Sequence, residues 1–61
     1  MTEKQIKREC EMLTPSDERI IEINEESGIV DVVSISRANI VWRRWYYIDN
    51  KELHFIKCQF M

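Results

Sequence analysis

With Gly28 as its one glycine, the chain has no glycine-rich loop of the kind that cradles phosphates through backbone amides. Two cysteines, Cys10 and Cys58, lack CxxC spacing, and the lone His54 cannot complete a tetrahedral zinc site with them. No metal site and no cofactor are therefore expected. No apolar run approaches the roughly 20 residues of a membrane span. The opening Met1-Thr2-Glu3-Lys4 offers no apolar stretch of a secretory signal. These absences predict a cytoplasmic protein, off the membrane, whose two thiols stay reduced.

Sixty-one residues allow one domain, 1–61. A domain of that size buries only about 60% of its unfolded-chain surface, so it leans on a staple or a partner. A pocket of several hundred cubic ångströms would consume most of such a core. Catalysis is not expected. His54 has no serine or cysteine nucleophile motif near it and reads as a half-buried strand residue, while Cys10 and Cys58 read as small core hydrophobes. The acidic residues Glu22, Glu25, Glu26 and Asp31 lack the alternating carboxylate spacing of a calcium loop.

Charge and aromatics divide the chain. Residues 1–31 carry nine acids and four bases, whereas residues 32–61 carry five bases and two acids. All six Trp, Tyr and Phe residues lie in the last twenty positions. Such polarity fits a contact surface, or two halves that neutralise each other within one fold.

Thr2-Glu3-Lys4-Gln5 has the form of a capping box, and Ile6, Cys10 and Leu13 follow at helical spacing. A helix over 3–13 follows, ended by Pro15. Thr14-Pro15-Ser16-Asp17-Glu18 would also start a second helix well. However, Arg19-Ile20-Ile21-Glu22-Ile23 and Ile29–Ile35 are rich in β-branched residues. They predict a hairpin around an Asn24–Gly28 loop, with glycine in the left-handed conformation. Two more strand-like runs flank the turn cluster Asp49-Asn50-Lys51. The expected strands are 19–23, 29–35, 40–48 and 53–60. They make an α+β domain, a short N-terminal helix packed on a four-stranded antiparallel meander. The rival is a small helix-turn-helix domain with a C-terminal hairpin. In it, Ala38, Val41, Trp45 and Ile48 share a helical face, Ser36 is the N-cap, and Leu13-Thr14-Pro15 resembles the opening of some such domains.

Strict alternation places Ile40, Trp42, Arg44, Tyr46 and Ile48 on one side of the third strand and Val41, Arg43, Trp45, Tyr47 and Asp49 on the other. The fourth strand divides into Leu53, Phe55, Lys57, Gln59 and His54, Ile56, Cys58, Phe60. Neither strand has a clean polar side, and one helix covers one face, so an aromatic face is expected to stay uncovered. The expected partner-binding residues are Trp42, Arg43, Arg44, Trp45, Tyr46 and Tyr47. Trp, Tyr and Arg dominate protein–protein hot spots, and they also stack on bases and grip phosphates. A pI near 5.3 is low for a nucleic-acid domain. The sequence therefore predicts a non-enzymatic, protein-binding regulator, an adaptor or inhibitor of a larger protein, with homodimerisation expected. Its size suits a phage or mobile-element product. A nucleic-acid-binding transcriptional regulator and a structural subunit of a larger assembly are the alternatives.

Overall fold

The computed structural model describes all 61 residues: one helix, α1 (Glu3–Leu13), then strands β1 (Glu18–Glu26), β2 (Ile29–Ser36), β3 (Val41–Asp49) and β4 (Glu52–Phe60). The strands form one antiparallel sheet in the order β1-β2-β3-β4, and α1 lies across one face. This is the α+β meander expected from the sequence. The helix-turn-helix alternative is not favoured, because residues 41–49 are strand and Ser36–Ile40 make a hairpin connection. No helix is long and apolar enough to cross a membrane.

The capping box forms as the residues dictate. The Gln5 amide donates to Thr2 Oγ1 (3.2 Å), and the Thr2 amide donates back to Gln5 Oε1 (2.8 Å). At the other end Thr14 is extended, and both its amide and its hydroxyl donate to the Cys10 carbonyl (3.0 and 2.7 Å). These bonds close the helix just before Pro15. Ile6 and Cys10 are buried as expected, but Leu13 is 46% exposed. The helix ends at Leu13, and Met1 packs on the core from the opposite end.

The turns are tighter than the sequence suggests. β1 runs on through Asn24, Glu25 and Glu26, leaving Ser27-Gly28 as a two-residue turn with both φ angles positive (53° and 82°). Asn50-Lys51 repeats the arrangement between β3 and β4 (52° and 61°). Paired positive φ angles are the hairpin geometry whose twist matches that of the strands. Between β2 and β3 the Asn39 amide donates to the Ser36 carbonyl, and the Ser36 amide donates to the Ile40 carbonyl. Asn39 takes the left-handed conformation there (φ 62°), which asparagine tolerates better than most residues.

Two β-bulges set which side chains face α1. Ile21 is the extra residue on β1, between the pairs Ile20–Ser34 and Glu22–Val33. Ile56 is the extra residue on β4, between Phe55–Tyr46 and Lys57–Trp45. Each bulge flips the alternation of its strand once. Leu53, Phe55, Cys58 and Phe60 therefore share the helix side, and His54, Lys57 and Gln59 share the other. This corrects the strict alternation expected for the fourth strand: apart from the bulged Ile56, its paired residues divide into an apolar helix side and a polar open side.

The buried core is small: Ile6, Cys10, Val30, Val32 and Tyr46, plus the polar Ser34. Met1, Ile20, Ile23, Ile48 and Leu53 pack around it. Cys10 is fully buried, and burial pushes its thiol up to about 11, helped by Glu11 and Glu9. Cys58, expected in the core, is exposed on the edge strand β4; both cysteines are free thiols.

Lys51 is an L-residue with a β-carbon held in the left-handed conformation, and Asn-Gly is the favoured pair for this turn. Lys51→Gly is expected to stabilise the fold by about 0.5–1 kcal/mol. Thermal unfolding followed by circular dichroism should show a rise in Tm.

Candidate interaction surface

The six residues expected to form one binding surface alternate between the two faces of the sheet. Trp42, Arg44 and Tyr46 face α1, while Arg43, Trp45 and Tyr47 face away from it on the open side. The strand period of two separates the neighbours within this run, so the two sets do different work.

On the helix side, Arg44 is bound up in the fold. Its guanidinium forks onto Glu18, with Nη1 to Oε1 at 2.6 Å and Nη2 to Oε2 at 3.1 Å. The Ser34 hydroxyl donates to the same Oε1 (2.6 Å), and Arg44 Nη1 lies 3.2 Å from Ser34 Oγ. The cluster crosses three strands, with Ser34 on β2 bridging Glu18 on β1 and Arg44 on β3. Both charged side chains are largely buried, and no buried side-chain polar atom lacks a partner. The Arg44 bonds hold the Glu18 carboxyl below its ordinary value against the opposing effect of burial, with help from Ser34. Tyr46 is 4% exposed and belongs to the core. Trp42 carries the Arg44 guanidinium over its ring (5.7 Å) and meets Phe60 edge-on (5.6 Å).

The open side is built around Trp45. Arg43 lies over the ring at 5.0 Å and Lys57, its cross-strand partner, at 4.5 Å. Arg43 also binds Asp31 on β2: Nε donates to both carboxylate oxygens (2.9 and 3.0 Å), and Nη2 reaches Oδ2. Tyr47 stacks on His54 with ring centres 5.0 Å apart. His54 Nε2 lies 3.2 Å from the Asp49 carbonyl. Around Trp45 runs an apolar stripe from the two central strands, in which Val33, Ile35 and Val41 are half-buried and Ile29 and Tyr47 are exposed. The edge strands frame it with Arg19, Glu22, Asn24 and Glu26 on β1 and His54, Lys57 and Gln59 on β4. The Asp31–Arg43 pair interrupts the stripe on the central strands, so the face combines apolar and aromatic side chains with a charged pair at its middle, a mixture found in protein contacts.

The largest concavity, about 610 Å³, lies on the surface between α1 and β1, lined by Lys7, Glu11, Pro15, Ile20, Ile21 and Ile23 among others. Its lining also holds Thr14, Ser16 and Glu18; the Thr14 hydroxyl donates to the Cys10 carbonyl (2.7 Å) and Glu18 is paired with Arg44. No three His, Cys, Asp or Glu side chains come together as a metal-binding group. The sequence missed both carboxylate partners, Glu18 and Asp31, because pairing across strands depends on register. No family model matches this chain, and neither a curated protein nor a solved structure was found to be similar to it.

The two neighbouring arginines should respond differently to truncation. Arg44→Ala removes the partner that covers Glu18 and Ser34 and is expected to destabilise the fold by about 2 kcal/mol. Arg43→Ala breaks a solvent-screened pair and should cost much less than Arg44→Ala. Urea unfolding of the two variants checks the difference. Because the folded-state pKa of Glu18 is depressed, its stabilisation is full above the ordinary carboxyl value of 4.5 and drains away as the pH falls below it. Glu18→Gln should therefore be less stable at neutral pH, and it should lose less further stability on acidification than the parent chain.

Proposed function

We propose that the protein is a non-enzymatic binding module that contacts a larger protein through the open face of its sheet. Trp45 is the anchor, with Arg43, Tyr47 and the Val33-Ile35-Val41 stripe around it. The observation that carries this reading is Trp45 itself: a half-buried tryptophan on the solvent side of the sheet, with Arg43 and Lys57 over its ring, Asp31 directly across on β2, and Tyr47, Ile29 and Val33 at adjoining positions of the same face. A side chain already fixed by its neighbours loses little rotamer freedom on binding, which favours it as a hot spot. An adaptor or inhibitor acting on one partner needs no more than such a surface. The free thiols suit a reducing compartment, and we place the protein in the cytoplasm.

The bonding of the arginines favours a protein partner over nucleic acid. Arg44 is held by Glu18 in a largely buried pair, and the charge of the half-exposed Arg43 is shared with Asp31, so the two arginines present less positive charge to phosphate than their number suggests. The open face also places Glu22, Glu26 and Asp31 beside its cations, and these repel a polyanion.

Trp45→Ala is expected to weaken the partner complex by about 2 kcal/mol or more while leaving the fold intact. Affinity capture from nuclease-treated lysate, repeated with the variant, reads this out. Binding to DNA or RNA at physiological salt should be negligible. A salt-sensitive, sub-micromolar complex with nucleic acid, weakened by Arg43→Ala/Lys57→Ala on the open face, would overturn the proposal in favour of a transcriptional regulator.

A further inference from the structure

Each side of the sheet ends in a strand with one unpaired edge, β1 and β4. The two edges differ. β1 carries Glu18, Arg19, Glu22, Glu25 and Glu26 among nine residues, which is how natural proteins keep an edge strand from pairing. β4 carries only Glu52 and Lys57, and the Lys57 ammonium is drawn back over Trp45 of its own sheet. Along β4 and just after it, Phe55 is 58% exposed, Ile56 44%, Phe60 68% and Met61 69%. With five apolar side chains buried in the whole chain, the core is small for a domain that stands alone.

We propose that the occupant of the β4 edge is β4 of a second copy of this chain, paired antiparallel about a twofold axis at the Ile56-Lys57 bulge. Identical strands can meet this way reciprocally, each offering the other the same row of amides and carbonyls. A bulge normally interrupts edge pairing, because it changes which side the later residues face. Placing the two bulges together at the axis removes that conflict. Leu53 then lies opposite Phe60 of the second copy, Phe55 opposite Cys58, and His54 opposite Gln59. Every one of these pairs joins residues of the same face, apolar with apolar on the helix side and polar with polar on the open side. The available backbone groups agree. The Met61 amide donates inward to the Val41 carbonyl (2.8 Å), so by alternation Phe60 and Cys58 turn their amides outward. The product is a continuous eight-stranded sheet with both helices on one side. Its open face is doubled, whatever that face binds.

The test uses the full chain. Sedimentation equilibrium up to about 1 mM, a range that covers weak assemblies with small interfaces, should show twice the 7.4 kDa chain mass. Phe60→Glu should weaken this association by roughly tenfold or more, since it sets a charge against Leu53 of the other copy. Its circular dichroism should be unchanged, Phe60 being mostly exposed. In a Cys10→Ala background, Phe55→Cys should form a disulfide-linked dimer with the native Cys58 of the second copy under mild oxidant. That dimer should vanish when Cys58→Ser is added. Directly opposed, hydrogen-bonded strand residues have the Cα spacing of a disulfide, about 5.5 Å. A 7.4 kDa monomer throughout the concentration range would overturn the proposal. So would a dimer that survives Phe60→Glu but is lost in Trp45→Ala, which would place the contact on the open face instead.

Discussion

One helix of eleven residues is set against four strands of eight or nine, and the rest of the structure depends on that mismatch. At 1.5 Å per residue, α1 is about 16 Å long, against a molecule extending 34 Å in its longest direction. It cannot cover even one side of the sheet. Where Ile6 and Cys10 reach, the core is dry and apolar, made with Val30, Val32 and Tyr46. Beyond them, the inner face is closed by Glu18, Ser34 and Arg44 instead.

That ion pair is a compromise between charge and geometry. A carboxylate and a guanidinium taken out of water lose hydration that only short, well-aligned bonds can offset. The forked contact and the Ser34 hydroxyl supply those bonds. The pair also ties β1 to β3 over the strand between them, so a shift of register would break it. Arg43, one residue earlier, sits on the wet side, where its pair with Asp31 holds Trp45 in place and contributes little to stability.

The same shortage of cover accounts for the two exposed apolar regions. The open face has no layer over it, and its central strands carry valines, isoleucines and aromatics there. The outer part of β4 lies on the helix side with Phe55 and Phe60 largely exposed. The bulge at Ile56 collects Leu53, Phe55, Cys58 and Phe60 on that one side. Without it, Lys57 would point toward the helix and Trp45 would lose one of its two cations.

The sequence by itself determined the elements. The capping box and Pro15 delimit α1, and β-branched and aromatic runs between turn residues specify four strands in a meander, because local preferences act within a few residues. It also located the aromatic and arginine-rich third strand that carries the candidate surface. Alternation already divided that strand into its two sets; tertiary structure decided which set lies under the helix. Whether Arg44 or Arg43 is the structural arginine depends on which side α1 packs against, and on Glu18 and Asp31 arriving from other strands. Neither bulge was legible, since an extra residue in a strand is defined only against its partner. Strict alternation therefore misplaced Lys57, Cys58, Gln59 and Phe60. Local sequence sets which backbone conformation each residue prefers. Register, and the coverage of each face, are properties of pairs of elements, and only the assembled sheet fixes them.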